Sequence, residues 1–185
     1  MEGAQPIQES ESVEVPSEEE EKEETKEKKE EETSKKIVDE NIVNTFEGII
    51  VLFNFPDFFI GELYGEKVFN GLLVVGAKAP SKDVIAITEI GKTINKKIDR
   101  MGYVLPTALD TEVEDIKAQN AIVIGNPCDN PATAILLDTN DCHAGLSPGE
   151  AMIKLIENGD NIQMVVMGYD EQGTLEASNV LSSYE

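Results

Sequence analysis

Three short apolar runs, each ending at a glycine and followed by a helix start, constrain the fold of this 185-residue chain more than any other feature. The runs are residues 72–75, 121–124 and 164–167, and the glycines are Gly76, Gly125 and Gly168. Each run is apolar throughout, which is typical of a strand buried on both faces of a sheet. The glycines lie 49 and 43 residues apart, which leaves room for crossover connections. The pattern predicts an α/β fold, with a mostly parallel sheet flanked by helices.

The helix starts carry recognisable capping residues. They are Pro80 with Ser81, Asn130 with Pro131, and Asp170. An asparagine N-cap followed by proline at the first helical position is a strong helix start. Apolar residues at helical spacing predict an amphipathic helix over residues 81–98, with lysines near its C-terminal end. Residues 147–150, Ser-Pro-Gly-Glu, resemble a capping box and predict another helix over 148–157, ended by Asn158 and Gly159.

Other segments predict smaller elements. The apolar residues 48–53 predict a strand, and 103–106 and 109–113 predict minor strands. Residues 54–60 contain a proline turn and three phenylalanines, Phe55, Phe58 and Phe59. We expect these rings to pack under the sheet as core.

The first 36 residues differ in composition from the rest. They contain 14 Glu and 6 Lys, a net charge of −8, and show no hydrophobic periodicity. Such a segment cannot bury enough apolar surface to offset the entropy of ordering it, so 1–36 is predicted to be a disordered acidic tail or linker. Residues 37–185 are predicted to form a single domain.

The domain itself is acidic, with 23 acidic and 9 basic residues, a net charge of −14. This charge argues against nucleic acid or an anionic membrane as a partner. We expect no transmembrane segment, because the best apolar stretch, 48–60, is short and contains Pro56 and Asp57. No signal peptide is expected either, since Met1 is followed by Glu2 and a polar run.

Reactive groups are few. A glycine before a helix start suits phosphate binding, but none of the three turns has a phosphate-binding motif, and Asp129 would repel an anion. Neither a zinc site of Cys128, Cys142 and His143 nor a calcium site of Asp138, Asn140 and Asp141 has the usual ligand pattern. With no catalytic set around the lone His143, we expect no enzyme activity and no cofactor.

Cys128 and Cys142 are the two cysteines of the chain. They bracket a 13-residue interval, which is too long for a thioredoxin-type redox pair. A disulfide bond between them and two buried free thiols are both compatible with this spacing.

Two regions resemble archaeal surface-layer (S-layer) proteins. One is residues 69–85, and the other runs from 120–130 through Cys142 to 148–159, with 164–169 extending it towards the C-terminus. The resemblance covers roughly 53–185, and the Gly-Asn-Pro turn at Gly125 replaces the Gly-Gly-Pro usual in that pattern. It implies a non-catalytic α/β module of the cell envelope, at the cell surface, which assembles with other copies or envelope proteins. A Cys128–Cys142 disulfide and an acidic surface suit that location.

Three hypotheses follow. The first is the structural or interaction module of an archaeal envelope protein. The second is a cell-wall or glycan-binding module on a similar scaffold. The third is a cytosolic nucleotide- or metabolite-binding domain, with its ligand at the strand ends near Gly76, Gly125 and Gly168.

Overall fold

The computed structural model describes residues 54–98, 100 and 102–183. They belong to one of the two units into which the chain divides, Thr33–Glu185. The predicted acidic tail, 1–36, and the predicted strand at 48–53 lie outside the described residues. Both stay predictions, as does the domain boundary at residue 37.

The described strands form a hairpin and a larger sheet. The hairpin pairs β1 (Ile60–Leu63) with β2 (Glu66–Phe69), and the sheet contains β3 (Leu72–Val75), β4 (Thr107–Leu109), β5 (Ala121–Ile124), β6 (Ala151–Asn158) and β7 (Asn161–Gly168). The order in space is β4–β3–β5–β7–β6. Four strands are parallel, and β6 is antiparallel to β7. The prediction of an α/β fold with a mostly parallel sheet is confirmed.

Helices cover both faces of this sheet. They are α1 (Ser81–Ile98), α2 (Pro131–Leu137) and α3 (Glu171–Ser183). Successive strand side chains point to opposite faces. Ile122 and Ile124 therefore pack with α1 and α3, whereas Val123 packs with α2. The observed bounds of α1 are those the sequence predicts. In the described part of the chain, no helix is both long and apolar enough to cross a membrane.

The predicted helix over 148–157 is wrong, because this segment forms strand β6. The Ser147 amide does donate to the Glu150 carboxylate, at 2.7 Å, as in a capping box. Gly149, however, has φ +83°, so the chain turns there instead of entering a helix. Residues 151–158 pair along their whole length with β7. Of the two residues interpreted from the sequence as a helix end, Asn158 is the last residue of β6. Gly159, with φ +62°, forms the two-residue hairpin turn to β7 with Asp160.

The minor strands were predicted in slightly wrong places. The paired strand β4 begins at Thr107, between the two predicted segments, and Asp110–Glu112 forms a short 3-10 helix. The Glu112 carboxylate accepts a hydrogen bond from the Leu109 amide at 2.8 Å, which favours this turn over a longer strand.

The aromatic residues of 54–60 join the core, as predicted. Phe55 and Phe59 are buried, and Phe58 packs against the same cluster. The Phe59 ring lies 6.2 Å from that of Phe69 on β2, so the hairpin is fixed to the core through aromatic contacts.

Candidate functional site at the strand ends

The turns that follow β3, β5 and β7 lie side by side, because these strands are parallel and adjacent. We call residues 76–83, 125–130 and 168–174 the strand-end surface. From β3 the chain passes through α1 to β4 on one side, and from β5 it continues towards β7 on the other side. Open α/β sheets usually bind ligands where neighbouring strands send the chain in opposite directions.

The three glycines of this surface are required for two different reasons. Gly125 has φ +106°, which side chains rarely adopt, so it is the turn residue that the sequence predicts. At Gly76 a Cβ atom would collide with the backbone carbonyl of Asp129, and at Gly168 with the backbone of Gly173 and Thr174. The chain's own backbone therefore occupies the space beside Gly76 that a phosphate group would need.

We expect Gly76→Ala to lower the free energy of unfolding by about 1–3 kcal/mol, because a backbone carbonyl cannot move aside as a side chain can. Urea denaturation measures the change. Gly102→Ala is the control, since nothing lies within 4 Å of the added Cβ and only its φ of +77° opposes the substitution. If Gly76→Ala lowers the free energy of unfolding no more than Gly102→Ala does, the close approach of the Asp129 carbonyl to Gly76 does not affect stability.

Asn130 ties two of the strand ends together. Its side chain is fully buried and accepts a hydrogen bond from the Ala132 amide at 3.1 Å, which is the predicted N-cap. Its amide group donates to the Ile124 carbonyl at 2.9 Å and more distantly to the Val74 carbonyl. The Thr133 hydroxyl donates to the Gly125 carbonyl at 2.8 Å. These bonds fix the two ends of the turn after β5, at Gly125 and Asn130, because they satisfy the buried polar groups there.

Asp83 lies in the first turn of α1 and has 1% of its surface exposed. Within the described part of the chain, it is the one ionisable side chain that is buried. Neither carboxyl oxygen has a hydrogen-bond donor in good geometry. Burial raises the pKa of Asp83 to about 7, and the negative charges of Asp129 and Glu171 act in the same direction, whereas the nearby Thr174 hydroxyl opposes them. At neutral pH this carboxyl is therefore partly protonated.

Cys128 and Cys142 are joined by a disulfide bond, with their Cα atoms 4.9 Å apart. The bond links the strand-end surface to the loop after α2. Because Cys128 is exposed and Cys142 half-buried, the disulfide lies at the protein surface. Neither sulfur is left as a free thiolate, which removes the zinc site considered from the sequence.

The loop after α2 has a second attachment one residue beyond the disulfide. The His143 ring stacks on Tyr169, with centroids 3.9 Å apart and planes inclined by 11°. Its Nδ1 atom lies 2.9 Å from the Tyr169 carbonyl oxygen. The imidazole therefore fixes the loop to the turn after β7.

The carboxylates considered for calcium serve the loop itself. Asp141 accepts hydrogen bonds from the amides of His143 and Gly145, which hold the pKa of its carboxyl below the usual value. Asp138 is the left-handed C-cap residue of α2, with φ 52°. In the described ranges, no group of three or more His, Cys, Asp or Glu side chains is arranged to hold a metal ion.

The sequence places Asn130, Cys128 and Cys142 in this region, and the structure brings all three to one edge of the sheet. Sequence reasoning missed Asp83 and the pairing of His143 with Tyr169, since neither stands in a motif. Comparison of the chain with protein families gives no match, and comparison with curated proteins gives none either.

Proposed function

We propose that this chain is a non-catalytic structural or interaction module of an archaeal cell-envelope protein of the S-layer type. Its partners are other copies of the chain or neighbouring envelope proteins. The observation that carries the proposal is the disulfide at an exposed edge of an acidic domain. Disulfides persist in oxidising compartments such as the cell surface.

The strand-end surface also supports a non-catalytic role. The Asp129 carbonyl covers Gly76, and the Asp129 and Glu171 carboxylates bring negative charge to the place where an α/β domain would hold a phosphate. His143 directs one ring nitrogen to a backbone carbonyl, not to a nucleophile. The arrangement suits a contact surface better than a nucleotide site.

The glycan-binding alternative needs exposed aromatic rings. Among the described residues, Phe55, Phe59 and Phe69 are buried, and Tyr169 stacks on His143. Tyr64 is 98% exposed at the tip of the β1–β2 hairpin, but one ring does not make a platform. This favours the interaction module over the glycan binder.

The test uses protein isolated from its native cells. We expect Cys128 and Cys142 to be alkylated in denaturant only after reduction, as read by intact mass. We also expect the chain to be labelled when intact cells are treated with a membrane-impermeant amine reagent. A cytosolic disulfide protein of a thermophile would pass the first test and fail the second.

Free cysteines in a protein that intact cells shield from the reagent would overturn the proposal. The cytosolic binder makes a different prediction, namely thermal stabilisation that increases with nucleotide concentration. We expect no such shift.

A further inference from the structure

The carboxyl group of Asp83 lies directly against the turn that joins β5 to α2. A Cβ atom built on Gly125 would be 2.6 Å from Asp83 Oδ2, so this oxygen faces the Gly125 backbone. Any larger residue at position 125 would collide with the carboxyl group. Asp83 and the turn are thus in close contact, although they belong to different elements.

The charged groups around Asp83 come from three elements. Asp129 lies on the turn after β5, and Glu171 lies in the first turn of α3; both carry negative charge towards Asp83. The neighbouring Asp170 carboxylate accepts the Gly173 amide at 2.9 Å. On α1 itself, the Lys82 ammonium is 4.0 Å from Glu171, and the Lys82 amide points to the same carboxylate. The Lys82 ammonium is therefore engaged with Glu171.

We propose that Asp83 is a proton-operated latch between α1 and the β5–α2 turn: the neutral carboxyl keeps the turn closed against α1, and ionisation loosens it together with the disulfide that it carries. The ionised carboxylate would be buried and would face the negative charges of Asp129 and Glu171, which the nearby Thr174 hydroxyl offsets only in part. Moving the turn is the simplest way to admit water to Asp83, because Cys128 in the turn is exposed, whereas α1 is fixed in the core by Ile90 and Ile94.

The internal hydrogen bonds of the turn let the movement reach the disulfide. Asn126 Nδ2 donates to Asp129 at 2.6 Å, and Asn126 Oδ1 accepts from the amides of Cys128 and Asp129. These bonds stay within the turn, so residues 126–129 can shift as one piece. Cys128 is part of that piece, and the disulfide transmits the shift to Cys142 and its loop.

A proton fits this place better than a metal ion does. In the part of the chain that the structure describes, no set of three or more metal-binding side chains surrounds Asp83. With a pKa of about 7, the carboxyl changes its charge near neutrality. A modest change in pH there alters the fraction of molecules in which Asp83 is ionised.

The test measures hydrogen exchange of the peptide spanning 125–133 in the full, oxidised chain. The exchange rate of this peptide in wild type is divided by the rate in Asp83→Asn, at about pH 6 and again at about pH 8. The division cancels the intrinsic pH dependence of amide exchange. We expect this ratio to rise by about tenfold between the two. Asp129→Asn is expected to reduce the rise, because it removes the charge that the ionised Asp83 faces.

Asp160→Asn is the matched control, since it makes the same charge change at an exposed position in the β6–β7 turn. It should behave as wild type. A constant ratio for 125–133 would overturn the latch, and so would an equal rise in the β6–β7 peptide, which would indicate global unfolding. If Asp83→Asn does not fold, wild type is compared with Asp129→Asn instead, and equal exchange at both pH values overturns the proposal.

Discussion

Replacing Asp83 by asparagine should raise the free energy of unfolding by on the order of 4 kcal/mol above about pH 7, and by little at about pH 4. The reason is the difference between the folded and unfolded protein. Asp83 has a pKa of about 7 when folded and 3.8 when unfolded. Between these values the folded state holds a proton that the unfolded state has released. The contribution of Asp83 to stability is therefore complete below 3.8 and is lost as the pH rises towards 7.

Urea denaturation of wild type and Asp83→Asn across this pH range measures the effect as a difference. The difference is needed because the many other carboxylates also alter stability with pH. Asp160→Asn again serves as control, and its difference from wild type should be small and nearly independent of pH. A difference for Asp83→Asn that is equally independent of pH would show that the carboxyl is not held neutral in the folded protein.

Sequence patterns predicted the elements that depend on local chemistry. Four consecutive apolar residues before Gly125 define β5 because no polar residue offers the strand a solvent-facing side. Asn130 followed by Pro131 defines the start of α2 because the cap and the fixed proline φ act within one turn of helix. The amphipathic spacing over 81–98 is also local, since it depends on residues within a few turns of each other, and it predicts both ends of α1.

The error at β6 shows where local patterns stop being decisive. Residues 147–150 make the hydrogen bond of a capping box, yet the residues that follow, 151–158, pair with β7. Eight ladder positions against β7 outweigh the one local interaction that favours a helix, and pairing across the sheet is not visible in the segment itself.

The candidate site depends even more on distant contacts. Asp83 occupies the third position of α1, where an aspartate usually faces solvent and interacts with the helix dipole. Its burial follows from Gly125 and from α3, which lie more than forty residues away in the sequence. The pairing of His143 with Tyr169 is likewise a contact between two loops. No spacing rule connects these residues.

Removing the disulfide should be the second large effect. We expect the double variant Cys128→Ser with Cys142→Ser to lower the free energy of unfolding by about 3 kcal/mol relative to the oxidised protein. The cysteines are separated by 14 positions, so the bond closes a loop of moderate length and restricts the unfolded chain more than the folded one. Urea denaturation of the oxidised protein, the reduced protein and the double variant measures this.

The reduced protein and the double variant should agree, and reductant should not change the double variant further. The core strands need not respond, because Asn130 and Thr133 hold the two ends of the turn after β5 independently of the cysteines. The loop after α2 should instead depend on His143 once the bond is gone, since its stack on Tyr169 is the next attachment. His143→Ala should therefore cost more in the reduced protein than in the oxidised one. Equal costs in both would mean that the two attachments do not hold the same loop.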